Sequence, residues 1–567
     1  MNCPSRNDDT IAHPAWNQSP PPFSPDTTTR NDFNGLANSR VHRRLAAGNS
    51  IGTGEDTLSL DLRPHIIGDP DPVKEKTADG EVFATTSGCE PPSRTCGLPH
   101  RPFQFQSFFS SSTASCTRRL VKFARFVGPG FLIAVAYIDP ETMPPTLQPV
   151  RSLILLSNLF AILLQSLCIK LGSVTGLNLA ENCRAHLPRW LVYFLYFLSE
   201  AAIIATDIAE VVGSAIALNL LGGIPLVAGC AITLVDVFFL LLFWRPNGSM
   251  WGLRLFEFFV MGLVLAVVIC FCIQLSLIKN QSVGEVFRGY LPSSAIVQSE
   301  GCGILGATVM PHSLFLGSGV VQSRLKDFDV TEGYVQSTVP LGSTGGEVEY
   351  RPSIQAIRSC MKYSIIELSL SLFTFALFVN SAILIVAGSA LYDVPGGASA
   401  DLFGIHKLLS SSISKGAALV FALALLLSGI SAGIVCTMAG QMVSEGMLNW
   451  SIKPWLRRLI TRSISIIPSI IIAAAVGKEG LDKTLTASQV VLSVILPFVS
   501  APLIWFTCFN KYMTVPAEQT SEGDGEVEVE KIGMRNHWAL SIIAVLVWLL
   551  IAVMNIALLV LVGLGKA

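Results

Sequence analysis

The chain has 567 residues, of which 51% are hydrophobic and 14% charged, with 39 Lys and Arg against 40 Asp and Glu for a net charge of −1. Soluble chains carry about 25% charged residues, so an ordinary soluble globule is excluded, and the balanced charge offers nothing to a nucleic acid. The 13 cysteines are scattered without a C-x-x-C pair, and Cys168, Cys230, Cys270 and Cys302 sit in apolar runs as small packing residues.

The start, MNCPSRNDDT, is polar and predicts no cleavable leader. Residues 1–120 are rich in Pro, Ser, Thr, Asn and Asp and show no sustained period. They bury too little apolar surface to offset chain entropy and are expected to form a disordered cytosolic tail. Residues 121–567 read as one transmembrane domain. A spanning helix needs about 20 mostly apolar residues, and eleven segments qualify, near 126–145, 151–169, 190–216, 223–244, 255–278, 302–322, 362–390, 415–446, 458–477, 485–509 and 538–563.

Lys and Arg set the orientation. Arg118, Arg119, Lys122 and Arg125 precede the first span, and alternate connections repeat the bias through Lys170, Arg184, Arg189, Arg245, Arg254, Arg324, Lys326, Arg351, Arg358, Lys453, Arg457 and Arg458. The opposite connections are poorer in positive charge. The positive-inside rule then predicts a cytosolic N-terminus, a cytosolic acidic run SEGDGEVEVE and a C-terminus outside or in a lumen. Asn280-Gln281-Ser282 falls on the far side as a glycosylation sequon.

Polar residues interrupt the first and sixth spans alike, as AVAYIDPETMPP and GATVMPHSLFLGS. Proline frees a backbone carbonyl, and at membrane depth such a carbonyl needs protein, water or a ligand. Broken helices in corresponding positions of two halves point to a transported substrate, with a plain proline kink as the alternative. Asp139 offers a carboxylate, the carbonyl near Ala307 a second hard oxygen and Met310 a thioether, which tilts the set from Mg²⁺ or Ca²⁺ toward softer transition metals. His312 could ligate, accept a proton or pack. The third span, SEAAIIATDIAE, carries Glu200, Asp207 and Glu210 on nearly one face. Charge at membrane depth is costly, so the stripe suits a proton relay, and structural ion pairs are the alternative. Arg462 could be the counter-charge, and Gln489 in SQVVLS a neutral member of the cation's shell.

GPGFLIAVAYIDP, SNLFAILLQSLCIKLGSVTGLNLAE, ATDIAEVVGSAIALNLL, GATVMPHSLFLGS and ASQVVLSVILPF together resemble the Nramp family of proton-coupled divalent metal transporters, closest in wording to its fungal manganese branch. The resemblance covers about 126–507. It implies an all-α LeuT-type fold of two inverted five-helix repeats plus one C-terminal helix. It implies Asp139, the Ala307 carbonyl and Met310 as metal ligands, with Gln489 joining in one conformation. Glu200, Asp207, Glu210 and His312 match the family's proton-pathway or site-lining positions, and Arg462 its ninth-helix arginine.

Departures accompany the match. The family motif Asp-Pro-Gly-Asn reads Asp139-Pro140-Glu141-Thr142 here, so Thr142 replaces an asparagine ligand and Glu141 adds a second carboxylate. The segment 139–157 is short for the family, TMPPTLQPV carries three prolines, and Ile430 stands where the family has glutamine. The expected function is proton-coupled transport of Mn²⁺, Fe²⁺ and similar ions through a plasma, endosomal or vacuolar membrane, impaired by the altered motif. Its partners are those ions, protons and the bilayer; no resident cofactor, catalytic residue or enzyme activity is expected, and a monomer suffices. Two alternatives are a non-transporting sensor or scaffold of the same fold and a carrier of another cation.

Overall fold

The computed structural model describes residues 123, 126–138, 150–235, 250–278, 283–291, 308–334, 350–391, 401–449, 454–517 and 530–564. The expected tail, and with it Asp139, Glu141, Thr142 and Ala307, lies outside the described residues.

Helix α1 (Pro129–Val135) opens on a proline, whose missing N–H is no loss in a first turn. After it come α2 (Val150–Thr175), α3 (Leu179–His186), α4 (Arg189–Gly222), α5 (Leu226–Ile232), α6 (Met250–Leu277) and α7 (Val283–Arg288). Helix α8 (Pro311–Thr331) again starts on proline. Helix α9 (Ile354–Ser371) continues through a π turn (Leu372–Ala376) into α10 (Leu377–Leu391). Then follow α11 (Leu402–Ser412), α12 (Lys415–Leu448), α13 (Pro454–Ala475) and α14 (Lys478–Cys508). A two-stranded antiparallel hairpin, β1 (Thr514–Ala517) with β2 (Glu530–Gly533), precedes the last helix, α15 (Trp538–Gly563).

Among the described residues, seven helices are long and apolar enough to cross a membrane, and Leu459–Ala475 is a shorter apolar one. The other expected spans are interrupted or only partly described. The first is represented by α1 and the sixth by α8, each ending or starting at the anticipated break. The fourth is described through α5 and on to residue 235.

The long helices α4 and α12 pack together at the centre, with α6 and α14 against them. The best span window of α4 is 72% buried and that of α15 only 22%, which places α15 at the periphery. Its apolar residues face outward, the pattern of a helix whose solvent is lipid.

Polar contacts gather at one end of the bundle. Lys170 Nζ donates to Asn536 Oδ1 at 2.8 Å, Asn536 N to Thr507 O at 3.0 Å and Arg184 Nη1 to Glu445 O at 3.4 Å. At the C-terminus of α2 the left-handed Gly176 lies against Tyr350 and Pro352. There Tyr350 OH and Ser353 Oγ each donate to the Asp329 carboxylate at 2.5 Å. Burial, the hydrogen bond and the Asp329 charge push the Tyr350 phenol well above its ordinary value. The basic connections that carry Lys170, Arg184 and Arg351 thus meet at one end, as alternating spans require.

Candidate functional site

The two breaks are built into each other. After α1 the chain tightens through Ala136 N to Ile133 O, Tyr137 N to Ala134 O and Ile138 N to Val135 O, the short-range bonds of an unwinding helix end. The carbonyls this releases are captured by side chains. Asn380 Nδ2 donates to Tyr137 O at 2.7 Å, and Ser428 Oγ to Ile138 O at 3.2 Å. Irregular backbone is tolerated at membrane depth only with such partners.

The second break begins at Met310, whose carbonyl accepts from Ser313 Oγ at 2.7 Å. Ser313 Oγ lies 2.8 Å from Tyr137 OH. Gln165 Nε2 donates to Tyr137 OH at 2.9 Å and to Ser313 O at 3.0 Å. One amide from α2 therefore ties the end of α1 to the start of α8. A side chain at Gly317 would collide with that amide, so this glycine is a close-approach position.

Met310 is buried beside this network. Its thioether is the soft donor that the sequence placed at the break. Gln489 is half-buried on α14, a helix that packs against α8.

The carboxylate stripe lies on α4. Asp207 and Glu210 are buried and Glu200 is half-buried. Arg462, on α13 and only 2% exposed, forms an ion pair with Asp207, 4% exposed. The pairing is the one the sequence suggested for that arginine. Donor atoms of Asp207, Glu210 and Cys436 all lie within 4.8 Å of one another. A guanidinium already sits against that cluster, so a second cation there would meet like charge.

His312 connects the stripe to the second break. Its Nδ1 lies 3.3 Å from Thr206 Oγ1, beside Asp207 in sequence. Thr206 Oγ1 donates to Ala202 O at 3.0 Å. The hydroxyl oxygen remains free to accept from the His312 ring when its Nδ1 carries the proton.

Sequence reasoning missed Tyr137, Gln165, Ser313, Asn380, Ser428 and Thr206. Gln165 and Asn380 had a signal, a lone amide in the apolar runs LLQSL and FVNSA. It also passed over Glu257 and Glu367, two buried carboxylates inside spans, and read the buried Arg324 only as a residue of a connection. Arg324 Nη2 donates to Glu257 Oε2 at 2.5 Å.

The comparisons with known proteins agree with this geometry. The family described as Natural resistance-associated macrophage protein-like, Nramp, matches residues 130–520. Manganese transporter pdt1 of Schizosaccharomyces pombe is 49% identical over 474 residues, 82% of this chain and 90% of that protein. Manganese transporter SMF1 of Saccharomyces cerevisiae is 49% identical over 487 residues, 77% of this chain and 85% of that one. Iron transporter SMF3 of the same yeast is 46% identical, over 77% of this chain and 95% of that one. Among solved structures, the Eremococcus coleocola manganese transporter, in complex with an aromatic bis-isothiourea substituted compound, superposes with a TM-score of 0.61 at 29% identity, covering 82% of this chain and 89% of that one. These relatives are named as transporters rather than enzymes. With matches of this extent in sequence and in fold, the chain belongs to the Nramp family of integral membrane metal transporters.

Proposed function

We propose that the chain carries Mn²⁺, Fe²⁺ and similar divalent ions across its membrane together with protons, from a site formed by Asp139, Thr142, the Ala307 carbonyl, Met310 and Gln489. The observation that carries this reading is the join between the two breaks, where Tyr137, Gln165 and Ser313 hold the end of α1 against Met310. Two interrupted helices held together there bring the Met310 thioether to the end of α1, and a thioether added to hard oxygens is the donor mixture of a borderline metal. The proton route runs through His312, Thr206, Asp207 and Glu210, with Glu200 at its cytosolic end and Arg462 fixing the charge of Asp207. The N-terminus faces the cytosol, following the Lys and Arg bias.

Transport is weakened by the first-helix motif. A threonine hydroxyl is a poorer ligand than an amide oxygen. Glu141 adds a second carboxylate two residues from Asp139, and two like charges disfavour each other unless a cation lies between them. The test is Mn²⁺ uptake by cells lacking their own carriers. One set expresses this chain, the other a version with Glu141→Gly, Thr142→Asn and the 139–157 segment lengthened to the family's. The restored chain should take up Mn²⁺ faster than the chain as it stands. Equal, strong uptake by both removes the impairment, and no uptake by either removes the transport reading. In the restored chain, Met310→Ala should weaken Cd²⁺ binding about tenfold, near 1.4 kcal/mol, and leave Ca²⁺ unchanged. Equal losses for both ions would rule out a selective thioether.

A further inference from the structure

A second polar cluster grips the chain just ahead of α1. The Glu367 carboxylate, from α9, accepts from Gly128 N at 3.0 Å and from Gly130 N at 2.9 and 2.8 Å. Arg254, from α6, donates to Val127 O at 3.1 Å and lies 3.6 Å from Glu257. Glu257 is in turn held by Arg324 of α8 at 2.5 Å. Three helices thus close on residues 127–130 with charged groups, and Glu367 alone takes two backbone N–H groups of that segment.

The glycines make the grip close. A Cβ at position 130 would sit 2.6 Å from Glu367 Oε2, and one at 128 would run into the Glu257 carboxylate. Gly128 also has φ 144°, a conformation that side chains rarely adopt. Glu367 is 3% exposed, so its carboxyl group has been taken out of water for this contact. A buried carboxyl group that accepts the backbone N–H groups on both sides of Pro129 holds that backbone in one place.

We propose that Glu367 is a positioning residue of the transport cycle: it clasps residues 128–130, keeps α1 seated against α6, α8 and α9, and must let go for the substrate to leave past α1. Substrate on a carrier of this kind exits by motion of one element against the others around a fixed site. The segment ahead of α1 is held by these contacts and by the stacking of Phe126 on Tyr363, whose ring centroids lie 5.3 Å apart, and the tie between the breaks lies at the far end of α1. Loss of the clasp frees the near end and leaves the far end attached, which is the motion of a gate. The assignment rests on the chain being a carrier, but its test needs no transport assay, so a failed clasp and a failed transport reading give different results.

The test is hydrogen exchange on the purified full chain in lipid nanodiscs, read over residues 126–136 and, as reference, over a buried stretch of α12 at 432–439. Glu367→Leu should raise exchange over 126–136 at least tenfold and leave the α12 stretch unchanged. Glu367→Gln keeps one acceptor oxygen and should raise it by a smaller factor, a partial rescue. Gly130→Ala keeps the carboxylate but blocks its approach, and should give the same local increase. Unchanged exchange at 126–136 in Glu367→Leu and Gly130→Ala would overturn the proposal. A rise that is equal in both stretches would overturn it too, because Glu367 would then be a general structural residue.

Discussion

Asp207 and Glu367 are both carboxylates sunk among apolar helices, and they are neutralised by different means. Asp207 faces the guanidinium of Arg462, a partner of opposite charge on another helix. Glu367 faces the backbone N–H groups of Gly128 and Gly130. A guanidinium can be removed by one substitution, and its loss strands a charge. Backbone N–H groups cannot be removed; they can only move away. The first arrangement therefore fixes a charge, and the second fixes the place of a segment. That difference separates a charge held in place in the middle of the bundle from a backbone segment held in place ahead of α1.

The sharpest way to break this contrast is Arg462→Leu. It leaves Asp207 buried without the Arg462 counter-charge, and removal of one member of a buried pair costs about 3–5 kcal/mol. Thermal unfolding in detergent should register the loss, and adding Asp207→Asn should recover more than half of it. A double variant as unstable as the single one would mean that Arg462 acts by packing.

Gly128→Ala probes the other region and should cost about 1–3 kcal/mol, because the backbone conformation is strained for any side chain and Glu257 stands in its way. The same melting measurement applies, and a loss below about 0.5 kcal/mol would show that the segment relaxes.

Tyr137→Phe lies between the two regions and removes a neutral hydrogen bond. Gln165 and Ser313 still have each other, so the cost should be only about 0.5–1.5 kcal/mol. A larger loss would make the tie between the breaks as important as the ion pair.

The smallest effect on metal binding is expected from Asp207→Asn combined with Glu210→Gln. Mn²⁺ affinity should change by less than about threefold, roughly 0.7 kcal/mol. The rise of uptake with acidity should flatten, because two proton-holding groups are gone. Uptake that keeps its full pH dependence would return the stripe to a structural role.

The breaks were legible in the sequence because proline has a fixed backbone consequence, and Asp139-Pro140 and Met310-Pro311 announce it. The proposed metal ligands Asp139, Thr142 and Ala307 lie outside the described residues, so for them the sequence still carries the argument. Gln165 and Asn380 were not legible because an amide in an apolar run looks alike whether it serves a carbonyl of its own helix or one elsewhere. Only three-dimensional proximity to Tyr137 separates those cases. Glu367 and Glu257 should have been found. The rule that drew attention to Asp207, that charge inside a span marks function, applies equally to them. They were passed over because neither stands beside a second carboxylate in a stripe.

The π turn at Leu372–Ala376 lies between Glu367 and Asn380 on one continuous rod. A π turn holds one residue more than an α turn. Deleting that residue, for instance the exposed Phe373, would leave the rod before it unchanged and rotate everything after it by about 100°. Glu367 would keep Gly130, while Asn380 would be carried off the Tyr137 carbonyl. The extra residue therefore acts as a phase setting, letting one helix serve both ends of the first half-helix at once. Chains that differ by a single residue at this turn would be expected to differ in which end of that half-helix they can hold.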